Sequence, residues 1–257
     1  MVLVGIALGT AVGRALRRWN RGALAALVEM GLVGAAAVAV GVGGTVVGGL
    51  LLRGEWSTDP AVLGTGPWLV AGIEATAAGE LVIVAAASAL KRRASGYFAR
   101  FGSAARWLAV GLVAGPCLLL LGAGWGALIE WAGYMPEAQQ VAEALLREQG
   151  WVQALAIGFV VLVAPLLEEL AFRGWLLPLL ARSIAWSRHG RTFALVATSA
   201  TFASMHADAP WALPPLFVLG YTCGWLRLRS GSTWPGVVAH VGNNTLALVL
   251  VLSGTGA

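Results

Sequence analysis

Five side chains able to move protons or hold charge, and one hydrogen-bonding amide, stand within or at the edge of apolar stretches of this sequence: Glu168, Glu169, Arg173, His206 and His240, with Asn244. Ionisable groups at membrane depth are costly, and they mark ion pathways, proton relays or catalytic sites. Glu168 and Glu169 are adjacent in Ala164-Pro-Leu-Leu-Glu-Glu-Leu-Ala-Phe-Arg-Gly174. Glu169 and Arg173 are spaced i, i+4, which predicts an ion pair on one helix face. Glu168 projects about 100° away from that face and is left to meet another partner. His206 closes the run Thr201-Phe-Ala-Ser-Met-His, and His240 and Asn244 are again i, i+4. Any one of these residues alone is more often a hydrogen-bonded packing group. Together they come from three segments, and burying so many polar groups without use would be expensive.

The elements that carry them read as membrane helices. The chain of 257 residues is 58% hydrophobic and 11% charged, against roughly 25% charged in a soluble domain. Stretches long enough for a hydrocarbon core, which takes about 20 residues, recur along it. They are Ala23–Leu52, Ala61–Leu90, Trp107–Tyr134, Trp151–Leu180, Thr192–His206, Trp211–Leu226 and Thr233–Leu252. The fold class is therefore all-α, a polytopic transmembrane helical bundle of about seven spans.

The basic residues test that count. Arg14, Arg17, Arg18 and Arg21 precede the first span, and Lys91, Arg92, Arg93, Arg100 and Arg106 follow the second. Arg182, Arg188 and Arg191 follow the fourth, and Arg227 and Arg229 the sixth. Every second connection is basic, which predicts a multi-pass cell-membrane protein with a cytoplasmic N-terminus and an extracytoplasmic C-terminus. The net charge of +5 is thus a topology signal, and nucleic acid is not an expected partner. The lipid bilayer is.

Other features carry less. The apolar run Val2–Val12 precedes its arginines, the reverse of signal-peptide charge order, and reads as an interfacial segment within residues 1–22. Met135–Gly150 reads as an extracytoplasmic amphipathic helix, with Pro136 in its first turn. Cys117 and Cys223 lie in apolar runs and make no disulfide framework. Glu29, Glu74, Glu80 and Glu130 read as locally bonded or interfacial groups, His189 as a solvated loop residue, and Trp107, Trp151, Trp211 and Trp234 as interfacial anchors.

Three segments, in order, resemble the motifs of the CAAX-processing and bacteriocin-processing (CPBP) family of intramembrane peptidases. That family includes the type II CAAX prenyl endopeptidases and lysostaphin-resistance-type proteins. Its Glu-Glu-x-x-x-Arg is matched by Glu168 to Arg173, its Phe-x-x-x-His by Phe202 to His206, and its His-x-x-x-Asn by His240 to Asn244. The stretch from Leu219 to His240 is also similar, and the resemblance covers roughly residues 150–250. It implies peptide-bond hydrolysis on a membrane-associated protein or peptide. Such a reaction needs an activated water and donors for the developing oxyanion. Matching the family motif makes Glu168 the general base, which spacing alone does not decide. His206 would hold or relay the water's proton, His240 and Asn244 would supply donors, and Arg173 would hold Glu169.

The resemblance favours a mechanism with no cofactor. The competing reading is zinc held by His206, His240 and Glu168, with water as fourth ligand. A proton-coupled transporter is a second alternative, for which the paired broken helices of such proteins are not seen. A non-catalytic immunity or scaffold protein on the same fold is a third. The expected organisation is an interfacial segment at 1–22, N-terminal spans at 23–134 and a catalytic core at 135–257. The sequence fixes neither the substrate nor the oligomeric state.

Overall fold

The computed structural model describes residues 101–135, 149–185, 187–206 and 209–253, with side chains from residue 105 onward. The first two expected spans, the segment 1–22 and most of the expected helix after Met135 lie outside the described residues. The described part is helical throughout. Helix α1 runs Phe101–Trp131. A long helical rod from Gly150 to Ser183 follows, made of α2 (Gly150–Gly158), a π segment (Phe159–Val163), α3 (Ala164–Glu169), a second π segment (Leu170–Leu176) and α4 (Leu177–Ser183). Then come α5 (Gly190–Ser204), a 3-10 turn at Pro210–Ala212, α6 (Leu213–Ser230) and α7 (Trp234–Leu252).

Three of these helices are long and apolar enough to cross a membrane: Ala105–Trp131, Gly150–Ser183 and Trp234–Leu252. The other two expected spans in this region are helices, α5 of 15 residues and α6 of 18, which do not combine that length with that apolarity. Helix α5 has 15 residues and stops at Ser204, so His206 sits in the turn beyond it, within two residues of the helix end. Pro210 lies a few residues on, and proline disfavours helical backbone in the residue before it.

Close helix packing rests on small residues. Gly111, Gly115 and Leu118 form the buried stripe of α1. A Cβ at Gly111 would collide with the carbonyl of Pro235 in α7, and one at Gly115 would lie 2.8 Å from the carbonyl of Ala239. The Gly-x-x-x-Gly spacing lets the two backbones touch. In α6, Gly220 lies against the backbone of Ser199 in α5, and Gly224 makes room for the side chain of Leu195. The buried hydroxyls of Thr198 and Ser199 bond back to carbonyls of their own helix, so α5 needs no polar partner on that face. Side chains from several helices, among them Leu118, Phe172, Phe202, Leu219, Cys223 and Ala239, close one apolar core around the polar residues described next.

Candidate active site

The carboxylates stand on the six-residue helix α3, between two stretches of wider backbone. Each π segment ends just before a proline, Pro165 in one case and Pro178 in the other. A proline ring clashes with the carbonyl four residues back and removes one N–H from the ladder. Widening the preceding turn relieves the clash, and the bonds there run five residues back: Ala164 N–H reaches Phe159, and Leu177 N–H reaches Phe172. Short π segments inside α-helices often occur at functional sites. The sequence-level expectation of one regular helix missed both, although the two prolines were the visible signal.

Glu169 is buried completely, at 0% side-chain exposure, whereas Glu168 keeps 17%. Arg173 donates from Nη1 to Glu169 Oε1 at 2.8 Å and from Nη2 to the carbonyl of Gly220 at 2.9 Å. The i, i+4 pair thus persists although Arg173 sits in the second π segment. Its guanidinium also lies over the rings of Phe202, at 4.7 Å, and Phe172, at 5.6 Å. This buried cation therefore has a carboxylate, a carbonyl and two aromatic faces around it. A Cβ at Gly220 would stand 3.2 Å from Nη2, so glycine there keeps the carbonyl within reach.

His240, buried on α7, bridges the two carboxylates. Its Nδ1 lies 3.3 Å from Glu169 Oε1 and its Nε2 lies 3.6 Å from Glu168 Oε2. The first is a long hydrogen bond, and the second is an electrostatic contact beyond hydrogen-bond range. Glu169 Oε2 meets no donor among the described residues and faces Gly236, where a Cβ would come within 2.7 Å of it.

Phe202 joins the remaining histidine to this group. Its ring stands edge-on to His240, at 5.7 Å between centroids, and tilted against His206 at 5.2 Å. His206 is half-buried, and its Nδ1 lies 3.1 Å from the carbonyl of Phe202. Asn244, one turn beyond His240, points elsewhere: its Nδ2 donates to the carbonyl of Val160 at 3.0 Å, and its Oδ1 accepts from Asn243. Val160 is the carbonyl that residue 165 would have served in the π pattern, had it not been proline. Helix α7 is thereby tied to the rod by the hydrogen bond that Pro165 cannot make.

The structure thus joins Glu168, Glu169, Arg173 and His240 by direct polar contacts, links His206 through an aromatic ring, and turns Asn244 toward a neighbouring backbone. His189 stays in an exposed turn beside Arg188, and Glu130 is exposed near the end of α1. Reading the sequence missed Gly220 and Gly236, whose importance is a matter of tertiary contact. Among the described residues, no three His, Cys, Asp or Glu side chains gather in a way that could hold a metal ion.

Residues 150–246 match the family model described as type II CAAX prenyl endopeptidase Rce1-like. That similarity supports a CPBP-family intramembrane peptidase. No curated protein and no solved structure matches the chain. The Rce1-like segment begins at the start of the long rod and ends within α7, so it contains all three motifs and the Glu168–His240–Glu169–Arg173 contacts. Helix α1 precedes it, although its glycine stripe packs directly on α7. The family is one of proteases, and the apolar helices agree with a membrane protein.

Proposed function

We propose that the chain is a glutamate-type intramembrane endopeptidase that cleaves a membrane-associated protein or peptide, as a CAAX-processing or C-terminal sorting-signal peptidase would. The observation that carries this reading is the unequal pair of carboxylates on either side of His240. Glu169 is sealed and held by Arg173, whereas Glu168 is partly open and makes only a 3.6 Å contact with the imidazole. The sealed carboxylate orients the imidazole through Nδ1, and the open one is left to take a proton.

In this mechanism His240 carries both protons, donating toward Glu169 from Nδ1 and toward Glu168 from Nε2. The four charged groups then sum to zero, which suits a site with little water. Glu168 removes a proton from a water molecule as its oxygen bonds to the scissile carbonyl carbon. Once Glu168 is neutral, the Nε2–H of His240 turns to the new oxyanion, where a donor stabilises charge that forms only in the transition state. The intermediate collapses as the C–N bond breaks, and Glu168 returns its proton to the leaving amine. His206, against the ring of Phe202, takes the role of holding the attacking water or its proton. Asn244 contributes by holding α7 in register through Val160. The seven-span count and the cytoplasmic N-terminus belong to the same proposal.

The test is a comparison of membrane-protein termini in cells carrying the wild type or Glu168→Gln, followed by cleavage of a synthetic peptide that spans the junction found. Cleavage should fall by about 10² or more in Glu168→Gln at normal membrane abundance. Full cleavage of that peptide by Glu168→Gln would remove Glu168 as the base.

A further inference from the structure

The second π segment contains an exchange of hydrogen bonds that no motif residue explains. Leu177 N–H bonds to Phe172, five residues back. The next donor in that pattern would be residue 178, directed at the carbonyl of Arg173. Residue 178 is proline and has no N–H. The vacant position is taken from another helix: Arg227, in the last turn of α6, donates from Nε to the carbonyl of Arg173 at 3.3 Å. The same exchange occurs one π segment earlier, where Asn244 serves the carbonyl that Pro165 leaves without a donor. In both places a side chain from a neighbouring helix supplies the bond that the rod's own backbone has lost.

We propose that Arg227 is a positioning residue for the reaction, acting through the backbone of Arg173. Helix α6 already holds the guanidinium of Arg173 through the carbonyl of Gly220. With Arg227 on its carbonyl, Arg173 is gripped by α6 at both its side chain and its main chain. A residue fixed at both ends presents Nη1 to Glu169 in one orientation, and Glu169 in turn orients His240. Arg227 lies outside the three motifs. Without its bond, a largely buried carbonyl beside the ion pair has lost its donor, and the wide turn that Pro178 keeps open is no longer fixed against α6. That freedom lets Arg173 shift relative to Glu169. The inference rests on the catalytic reading of Glu168, His240 and Glu169, but the bond itself can be tested without that reading.

The experiment is a double-mutant cycle of Arg227→Met and Pro178→Ala in the full-length detergent-purified protein. It is read by thermal unfolding and by cleavage of the synthetic junction peptide described above. Alanine at 178 restores the missing N–H and so removes the need for Arg227. Arg227→Met alone should lower the midpoint by roughly 2–4 °C and cleavage by about tenfold, with kcat reduced and KM held. Arg227→Lys should recover part of both, since an ammonium retains one donor. Pro178→Ala/Arg227→Met should return both readouts close to those of Pro178→Ala. A purely packing role for Arg227 would not respond to a new N–H at 178, so losses that are simply additive across the cycle overturn the proposal. Unaltered midpoint and cleavage in Arg227→Met overturn it as well. A coupled midpoint together with full activity of Glu168→Gln would keep the backbone bond and discard the assignment of the base, which separates the two failures.

Discussion

Replacing Gly236 by Ala adds one methyl group to α7 at the point where that helix faces the sealed carboxylate. The new Cβ would lie 2.7 Å from Glu169 Oε2 and 3.3 Å from the Cβ of Cys223. Reaching ordinary contact requires the carboxylate to retreat by about 0.7 Å, an overpacking that costs about 1–3 kcal/mol. Retreat is opposed by the 2.8 Å bond from Arg173 and the 3.3 Å contact with His240, so the strain passes into the imidazole. Misplacing a catalytic group by about 1 Å can cost on the order of 10² in rate, and the smaller shift here should cost about 10- to 50-fold. In opposition, Ala gains about 0.5–1 kcal/mol over Gly in helix propensity, so membrane abundance should change little. Gly242 is the control on the same helix, since a Cβ there meets only Gly115 Cα, at 3.8 Å. Cleavage of the junction peptide by the two purified variants is the assay. Equal activity in Gly236→Ala and Gly242→Ala would show that the position of Glu169 does not control the reaction, and the orienting role given to it would fall.

Further outcomes follow from the same geometry. Arg173→Met breaks a fully buried pair, a loss of about 3–5 kcal/mol, and should reduce membrane abundance sharply. Adding Glu169→Gln should recover abundance but not activity, and a coupling energy near zero in that cycle would contradict the pairing. Gly111→Ala drives a methyl group into the carbonyl of Pro235 and should destabilise the α1–α7 contact, seen as lower abundance, whereas Gly124→Ala, with open space around it, should not. Purified protein should contain no stoichiometric zinc and should keep cleaving after prolonged chelation. Activity lost to the chelator and restored by zinc would reinstate His206, His240 and Glu168 as ligands.

Much of the site was legible in the chain because helical spacing turns sequence distance into direction. Glu169 and Arg173, four apart, meet as that spacing requires, and Glu168 points away and stays partly open. The span containing them and the last span were legible from apolar length alone. What spacing does not encode is which face of one helix meets another. The contact of His240 with both carboxylates, and the attachment of Asn244 to Val160, depend on tertiary packing. The π segments were hidden for a different reason: a proline in an apolar run can kink a helix, end it or widen it. Only the availability of donors such as Arg227 and Asn244 on neighbouring helices makes the widened form affordable. His206, expected at the end of the fifth span, lies two residues past Ser204, where α5 ends.

The glycine stripe between α1 and α7 has a consequence for traffic. Where backbones touch, as at Gly115 and Ala239, no seam remains for a lipid tail or an extended peptide to slip between the helices. That flank of α7 is closed to lateral entry, and α1 acts there as a fixed wall behind His240. On the proposed reading, a substrate coming out of the bilayer has to reach Glu168 by another side.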